Sequence, residues 1–335
     1  MKYNIWNKWD PLKVCMLGNN YAPEFFDGLG TRAESPLKRI CEETLEDLEG
    51  FKNILLDFGV EVIQPELDNT ERFLDNPKEY PRGPLQPRDA QLVLGNRAWS
   101  NKTDHYAIHR CLEKYGDLEK SRGPLSSAGS FPLGKRIDIG KETVANKTFD
   151  IPISWFNTTA FKKTYDPTGL FTDVNFVPLN GHSDGNYHPI KPGAILSLYD
   201  VQTYEKMFPG WDVCYLQDQS WDKVEGFLDL KRKNAGKWWL AGEEDNAEFT
   251  HFVETWLQDW VGYVEETVFD VNVLMLDEHH CCISNPNNEQ VNTFLKKHNV
   301  EPVYVPWRHR YFWDGGLHCI TLDLYREGTQ KEYFK

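Results

Sequence analysis

The chain predicts an α/β fold built from a repeated helix–strand unit, and three observations carry that expectation. Apolar residues at helical spacing stop at a glycine and give way to a short β-rich run; the same succession recurs near the C-terminus; and a third copy lies between them. In the first copy Leu37, Ile40, Thr44, Leu48, Phe51, Ile54, Leu55 and Phe58 follow the 3.6-residue period. Gly59 then ends the helix, because a residue without Cβ takes the left-handed conformation at little cost, and Val60-Glu61-Val62-Ile63 follows as a strand. The second copy runs from Tyr204–Phe208 through Gly210 to Trp211-Asp212-Val213-Cys214-Tyr215. The third runs from Val291, Phe294, Leu295 and His298 through Asn299 to Val300–Val305.

Further apolar strands are expected at Val14–Leu17, Ala90–Leu94, Ala194–Leu198 and Val271–Leu276, each ended by Gly, Asn or Asp. Alternation of helices and strands favours α/β over α+β. The stretch from Tyr115 to Asn175 is rich in Gly, Pro, Ser, Thr and Lys, and only Asn157 to Tyr165 reads as helical; it suits a lid, an elaboration or ordinary surface loops. No linker divides the chain, so residues 1–335 are expected to form one domain with an irregular segment at about 115–175.

Composition narrows the function. At 335 residues and 40% hydrophobic content the chain is long enough to bury a large core. A net charge of −14 disfavours nucleic acid and suits a small cationic substrate. Met1–Asp10 lacks the apolar core of a signal peptide, and no apolar run approaches the ~20 residues that span a bilayer, so export and membrane insertion are not expected. Cysteines at 15, 41, 111, 214, 281, 282 and 319 form an odd set with no CxxC pair and no zinc-like spacing, which predicts a reducing, cytoplasmic setting and no metal.

One thiol stands out as a candidate nucleophile. In Asp314-Gly315-Gly316-Leu317-His318-Cys319 a Gly pair permits close backbone approach, and Cys319 is expected on an apolar strand leading out of it, at the edge of a cleft. The competing reading is a small core hydrophobe, the commonest use of a free cysteine.

Several blocks taken in order resemble the amidinotransferase family: Asn7-Lys8-Trp9-Asp10-Pro11-Leu12-Lys13; Pro87-Arg88-Asp89 with Leu92-Val93-Leu94-Gly95-Asn96; Gly181-His182-Ser183-Asp184 with Pro192-Gly193-Ala194-Ile195-Leu196-Ser197; Asn272-Val273-Leu274-Met275-Leu276-Asp277-Glu278; and Gly315-Gly316-Leu317-His318-Cys319. The blocks extend over roughly 70% of the chain, more than a single motif would mimic by chance. The resemblance implies the pentein fold, a five-bladed pseudo-symmetric α/β propeller of ββαβ-type modules with one active site in its central channel.

It also implies the chemistry. Cys319 would attack the central carbon of a guanidinium, His182 would shuttle protons, and Asp89 and Asp184 would hold the planar cation bidentately, with Arg88 and Gly316 completing the substrate-binding set. Asp184 is expected on the same strand as His182, two residues on and so on the same face. Neither cofactor nor metal is implied. The implied substrates are arginine and an amine acceptor such as glycine, giving ornithine and guanidinoacetate, and the implied assembly is a homodimer. A hydrolase of the same fold that releases citrulline, and a non-catalytic propeller that binds a cationic ligand, are the rival readings.

The resemblance fails at two places. The family's third module supplies an acid to the catalytic His from a segment like Phe-Asp-Ala-Ala-Asp; the best match, Phe131–Gly140, puts Lys135 there, and Asp138 lies three residues on, on the opposite face of a strand. The family's arginine after its Pro-Gly strand corresponds to Val201, and its serines before Asn272 correspond to Glu265 and Glu266, which read equally well as a solvated face. His318, Cys281 and Cys282 are expected to be structural.

Overall fold

A computed structural model describes residues 2–77, 80–100, 105–120, 125–140, 165–166, 169–177, 179, 182–198, 204–216, 239–243, 245–261 and 270–334. Its described strands form five three-stranded sheets, and all follow one plan: an antiparallel pair, then a third strand parallel to the middle one. The first sheet joins β1 (Leu12–Leu17) and β2 (Glu61–Ile63) to the last strand of the chain, β15 (Thr321–Arg326). The second holds β3 (Gln91–Leu94), β4 (Arg97–Ser100) and β5 (Glu119–Lys120), and the third β6 (Ser130–Leu133), β7 (Arg136–Gly140) and β8 (Asp173–Val177). The fourth holds β9 (Tyr187–Lys191), β10 (Ala194–Leu198) and β11 (Asp212–Leu216), and the fifth β12 (Leu274–Met275), β13 (His280–Ile283) and β14 (Glu301–Tyr304).

A parallel pair cannot be joined by a tight turn, so each middle strand must cross over to reach the third. Helices Glu34–Asp57, Tyr106–Tyr115, Tyr204–Met207 and Glu289–Lys297 make four of these crossovers. The plan therefore recurs in all five sheets of the described residues, where three copies were legible in the sequence. The unit of the second sheet (β3–β5) escaped because β5 is only two residues long, and that of the third sheet (β6–β8) because its crossover runs largely through residues outside those described.

The expected stops hold for their stated reason. Gly59 (φ +72°), Gly210 (φ +78°) and Asn299 (φ 56°) all take the left-handed conformation at helix ends. The strand expected at Val271–Leu276 shortens to Leu274–Met275, because Asn272 is drawn into the site described below. The apolar face of helix Glu34–Asp57 (Leu37, Ile40, Leu48, Phe51, Leu55) packs with Trp260, Phe312 and Trp313. Burial on this scale is worth about 1.5–3 kcal/mol for each large apolar side chain. It anchors the segment immediately before the Gly pair.

The chain's two ends meet in the first sheet, with Cys15 opposite Asp323 and Leu17 opposite Thr321. Closing the sheet this way fixes the start of β15, and so fixes the turn that carries Cys319.

Candidate active site

Cys319 lies in a turn two residues before β15, not on the strand as expected. The turn is closed by the Ile320 N–H donating to the Gly316 carbonyl (3.2 Å) and the Thr321 N–H donating to that of His318 (3.2 Å). Asp314, at φ 50°, brings the chain into it. A straight strand would have alternated these side chains across the sheet; the turn instead brings His318 and Cys319 to the same carboxylate.

One side chain pins the turn. Asn272 accepts from the N–H groups of His318 (2.9 Å) and Cys319 (3.0 Å), and its amide donates to the Asp184 carbonyl and to Cys319 Sγ, both at 3.1 Å. Gly316 is needed for that approach: a Cβ there would lie 2.6 Å from Asn272 Oδ1 and 2.7 Å from its Cβ. Gly315 leaves room in the same way for Gln86, whose Nε2 donates to the carbonyls of Trp313 and Asp314 at 2.9 Å each. Gly316, expected in the substrate-binding set, is the residue whose missing Cβ lets Asn272 approach the turn.

His182 and Asp184 also depart from a shared strand. Asp184 sits in a single 3-10 turn, Ser183–Gly185, with His182 as its N-cap residue, just ahead of β9. The turn is docked on the segment leading into β6, through the Asp184 N–H to the Ala128 carbonyl (3.2 Å) and Ser183 Oγ to the Gly129 carbonyl (2.9 Å). Asp89 comes from the short helix Pro87–Ala90, with Oδ1 3.9 Å from His182 Nδ1 and Oδ2 3.8 Å from Arg82 Nη2. Cys319, His182, Asp89 and Asp184 line one cleft of about 80 Å³ together with Arg82, Gln86 and Asp314.

Asp184 is buried at the cleft's back. Its Oδ2 accepts from His318 Nδ1 at 2.7 Å and lies 3.7 Å from Cys319 Sγ, while Oδ1 is buried with no hydrogen-bond partner. Burial, with Asp89 adding to it against His182 and Arg88, pushes this carboxyl up to about 6. His318 is driven well below its ordinary value, first by burial and then by Arg88, so the neutral ring donates from Nδ1. Burial also raises the Cys319 thiol well above its usual range, and Asp184 and Asp89 reinforce the effect against the Gly316 backbone and Asn272.

A stability measurement checks the Asp184 environment. The folded chain raises this carboxyl from 3.8 to about 6, so the unfolded chain ionises first and stability falls as pH climbs between those values. Asp184→Asn, which keeps an acceptor for His318, is expected to melt like the unsubstituted protein at pH 4 and to be more stable at pH 8. Two pKa units correspond to about 2–3 kcal/mol. Equal melting temperatures at pH 8 would contradict the buried-carboxylate assignment.

Three other expectations are corrected. Lys135 lies in the tight turn of the β6–β7 hairpin, exposed, with Gly134 at φ +71° and its own N–H on the Lys331 carbonyl at 3.0 Å, away from the cleft. Asp138 is buried elsewhere, accepting from Arg136 Nε (2.6 Å), Asn175 (3.2 Å) and the Tyr187 hydroxyl (3.4 Å). The third-sheet segment that reaches the His182 turn is Ala128–Gly129, just before the stretch matched from sequence, and it is flanked by Ser126, Ser127 and Ser130 instead of an acid. An acid does stand beside His182, but it is Asp89. Arg88 is fully buried behind the cleft, where Nε donates to the carbonyls of His318 (2.7 Å) and Thr321 (2.8 Å) and Nη2 to Asp323 (2.7 Å); it positions the Cys319 turn and does not line the cleft. Gly181, Val201, Glu265, Glu266 and residues 157–164 of the expected helix lie outside the described residues.

Sequence reasoning missed Asn272, Gln86 and Arg82, and read His318 as only structural. A polar Asn opening an apolar run, and a His adjoining Cys319, were the available signals. Among the described residues no group of three or more His, Cys, Asp or Glu has the geometry to hold a metal ion, and no helix is long and apolar enough to cross a membrane.

No family model matches the chain. It is 22% identical over 392 residues to the mitochondrial glycine amidinotransferase of Xenopus tropicalis, spanning 98% of this chain and 84% of that protein. It is also 22% identical over 330 residues to the L-arginine:L-lysine amidinotransferase of Pseudomonas savastanoi pv. phaseolicola, spanning 86% and 80%. In solved structures, an amidinotransferase from the saxitoxin biosynthetic pathway of Microseira wollei matches with a TM-score of 0.66 at 19% identity, over 99% of both chains. The inosamine-phosphate amidinotransferase of Streptomyces griseus matches with a TM-score of 0.63 at 15% identity, again over 99% of both. These likenesses show a shared α/β fold.

Proposed function

We take the chain as a member of the amidinotransferase family and propose from that premise that it moves the amidino group of L-arginine through Cys319 to an amine acceptor, with glycine the first acceptor to test. One observation carries the reading: a cleft brings a thiol, an imidazole and two carboxylates together, and one buried oxygen of Asp184 has no partner within the chain. A guanidinium satisfies that oxygen. Its N–H groups pair with Asp184 and Asp89, and its carbon is then presented to Sγ. Five sheets of one plan, the first of them joining the start of the chain to β15, support the reading of a five-bladed propeller with the cleft in its channel.

In the free enzyme the thiol stays protonated, since burial and two acids oppose a thiolate. The bound cation offsets both carboxylates and lowers the cost of the thiolate, so substrate activates the nucleophile. Sulfur then bonds to the guanidinium carbon as the bond from that carbon to the ornithine nitrogen breaks. The proton lost by sulfur is the one gained by the leaving nitrogen, passed through His182. In the second half an acceptor amine bonds to the same carbon, the carbon–sulfur bond breaks, and the amine's proton returns to sulfur. Seven free thiols suit a reducing, cytoplasmic compartment.

Intact-protein mass spectrometry after mixing with arginine tests the reading. A gain of one amidino group, discharged by glycine with formation of guanidinoacetate, is expected alongside ornithine. Citrulline without transfer would replace the acceptor by water and make the chain a hydrolase, while no adduct and no turnover would overturn the enzyme reading.

A further inference from the structure

Arg82 lines both the catalytic cleft and a second pocket of about 490 Å³ whose walls include Tyr80, Trp256, Asp259 and Trp260. The cleft itself, at about 80 Å³, is far below the ~300 Å³ at the small end of ligand sites. It has room for a guanidinium head, and the stem and amino-acid end of a donor must extend past Arg82. Among the described residues that line the cleft three are acids, Asp89, Asp184 and Asp314, and one, Arg82, is a lysine or arginine. A carboxylate entering this field has Arg82 as its cationic partner.

The present contacts of Arg82 are long. Its Nη2 is 3.8 Å from Asp89 Oδ2 and its Nη1 donates to the Trp313 carbonyl at 3.4 Å, with 27% of its side chain exposed. Pairs of this length and exposure hold weakly and exchange readily. We propose that Arg82 is the specificity-determining anchor for the α-carboxylate of the amino-acid donor, and that it leaves Asp89 to take this role. The exchange frees Asp89 for the guanidinium at the moment the carboxylate arrives. The inference rests on the proposed amidino transfer.

The test is the rate of amidino-cysteine formation, followed by intact mass, with arginine and with its decarboxylated analogue agmatine, in the unsubstituted enzyme, Arg82→Gln and Arg82→Lys. Loss of a charge-assisted fork is expected to lower the preference for arginine over agmatine by about 10- to 100-fold in Arg82→Gln, mainly through KM. Arg82→Lys, which keeps the charge without the fork, should fall between. An unchanged preference in both variants, whether loading is retained or lost equally for the two donors, would overturn the assignment. If the unsubstituted enzyme forms no adduct with either donor, the amidino transfer on which the assignment rests falls with it; an adduct with unchanged preference overturns the role of Arg82 alone.

Discussion

Replacing Cys319 by alanine is expected to lower ornithine release from arginine by at least ~10³-fold and to remove the amidino adduct, because in the proposed route the sulfur would carry the group between half-reactions. Folding should change little. The Asn272 bonds to the backbone of residues 318 and 319 do not involve sulfur, and Cys319→Ala loses only the 3.1 Å contact from the Asn272 amide and the 3.7 Å contact to Asp184. Binding of arginine should persist, since Asp89 and Asp184 are intact. Calorimetric titration of Cys319→Ala with arginine, beside an ornithine assay, separates the two effects. Residual turnover above about a hundredth of the unsubstituted rate would eliminate the covalent route.

The second large effect is on stability and comes from a residue outside the cleft. Asp323 is buried beneath it with three cations, Arg88 at 2.7 Å, Arg326 at 2.9 Å and Lys8 at 3.4 Å. Burial alone would raise this carboxyl, but Arg326, Lys8 and Arg88 outweigh it and hold the group well below the usual range. The negative charge is therefore present at neutral pH and its stabilisation is lost only as pH falls through the depressed folded value. Asp323→Asn leaves the cations uncompensated and is expected to cost about 3–5 kcal/mol at pH 7, the range for breaking a buried pair from one side. Lys8, already pushed down to about 7 by burial, sheds its proton and limits the loss. Urea unfolding should show a lower midpoint at an unchanged slope, and an unchanged midpoint would mean that the cluster does not carry the β1–β15 joint.

The elements legible in the sequence were those governed by local physics. Helix Glu34–Asp57 was evident because its apolar face is long and periodic, and its end because Gly59 needs no Cβ-compatible backbone. Strand Ala194–Leu198 was read at its observed limits because a short apolar run between Pro192-Gly193 and a polar stretch has few alternatives. The two-residue β5 carries no such pattern, and His182 and Asp184 were misread as a strand because the 3-10 turn depends on carbonyls of residues 128 and 129, more than fifty positions away.

The α/β class and the repeated unit were legible along the chain, since periodicity and turn residues are properties of neighbours, while Cys319, His182, Asp184 and Asp89 were singled out through a family resemblance, and the fold brings all four to one cleft. It took the packing of the whole chain to decide that Asn272 holds the Cys319 turn, that His318 pairs with Asp184, that Arg88 lies beneath the cleft, and that Lys135 lies outside it. Each of these depends on which side chain fills the space between two sheets, and that is set by long-range packing and by the requirement that buried polar groups find partners.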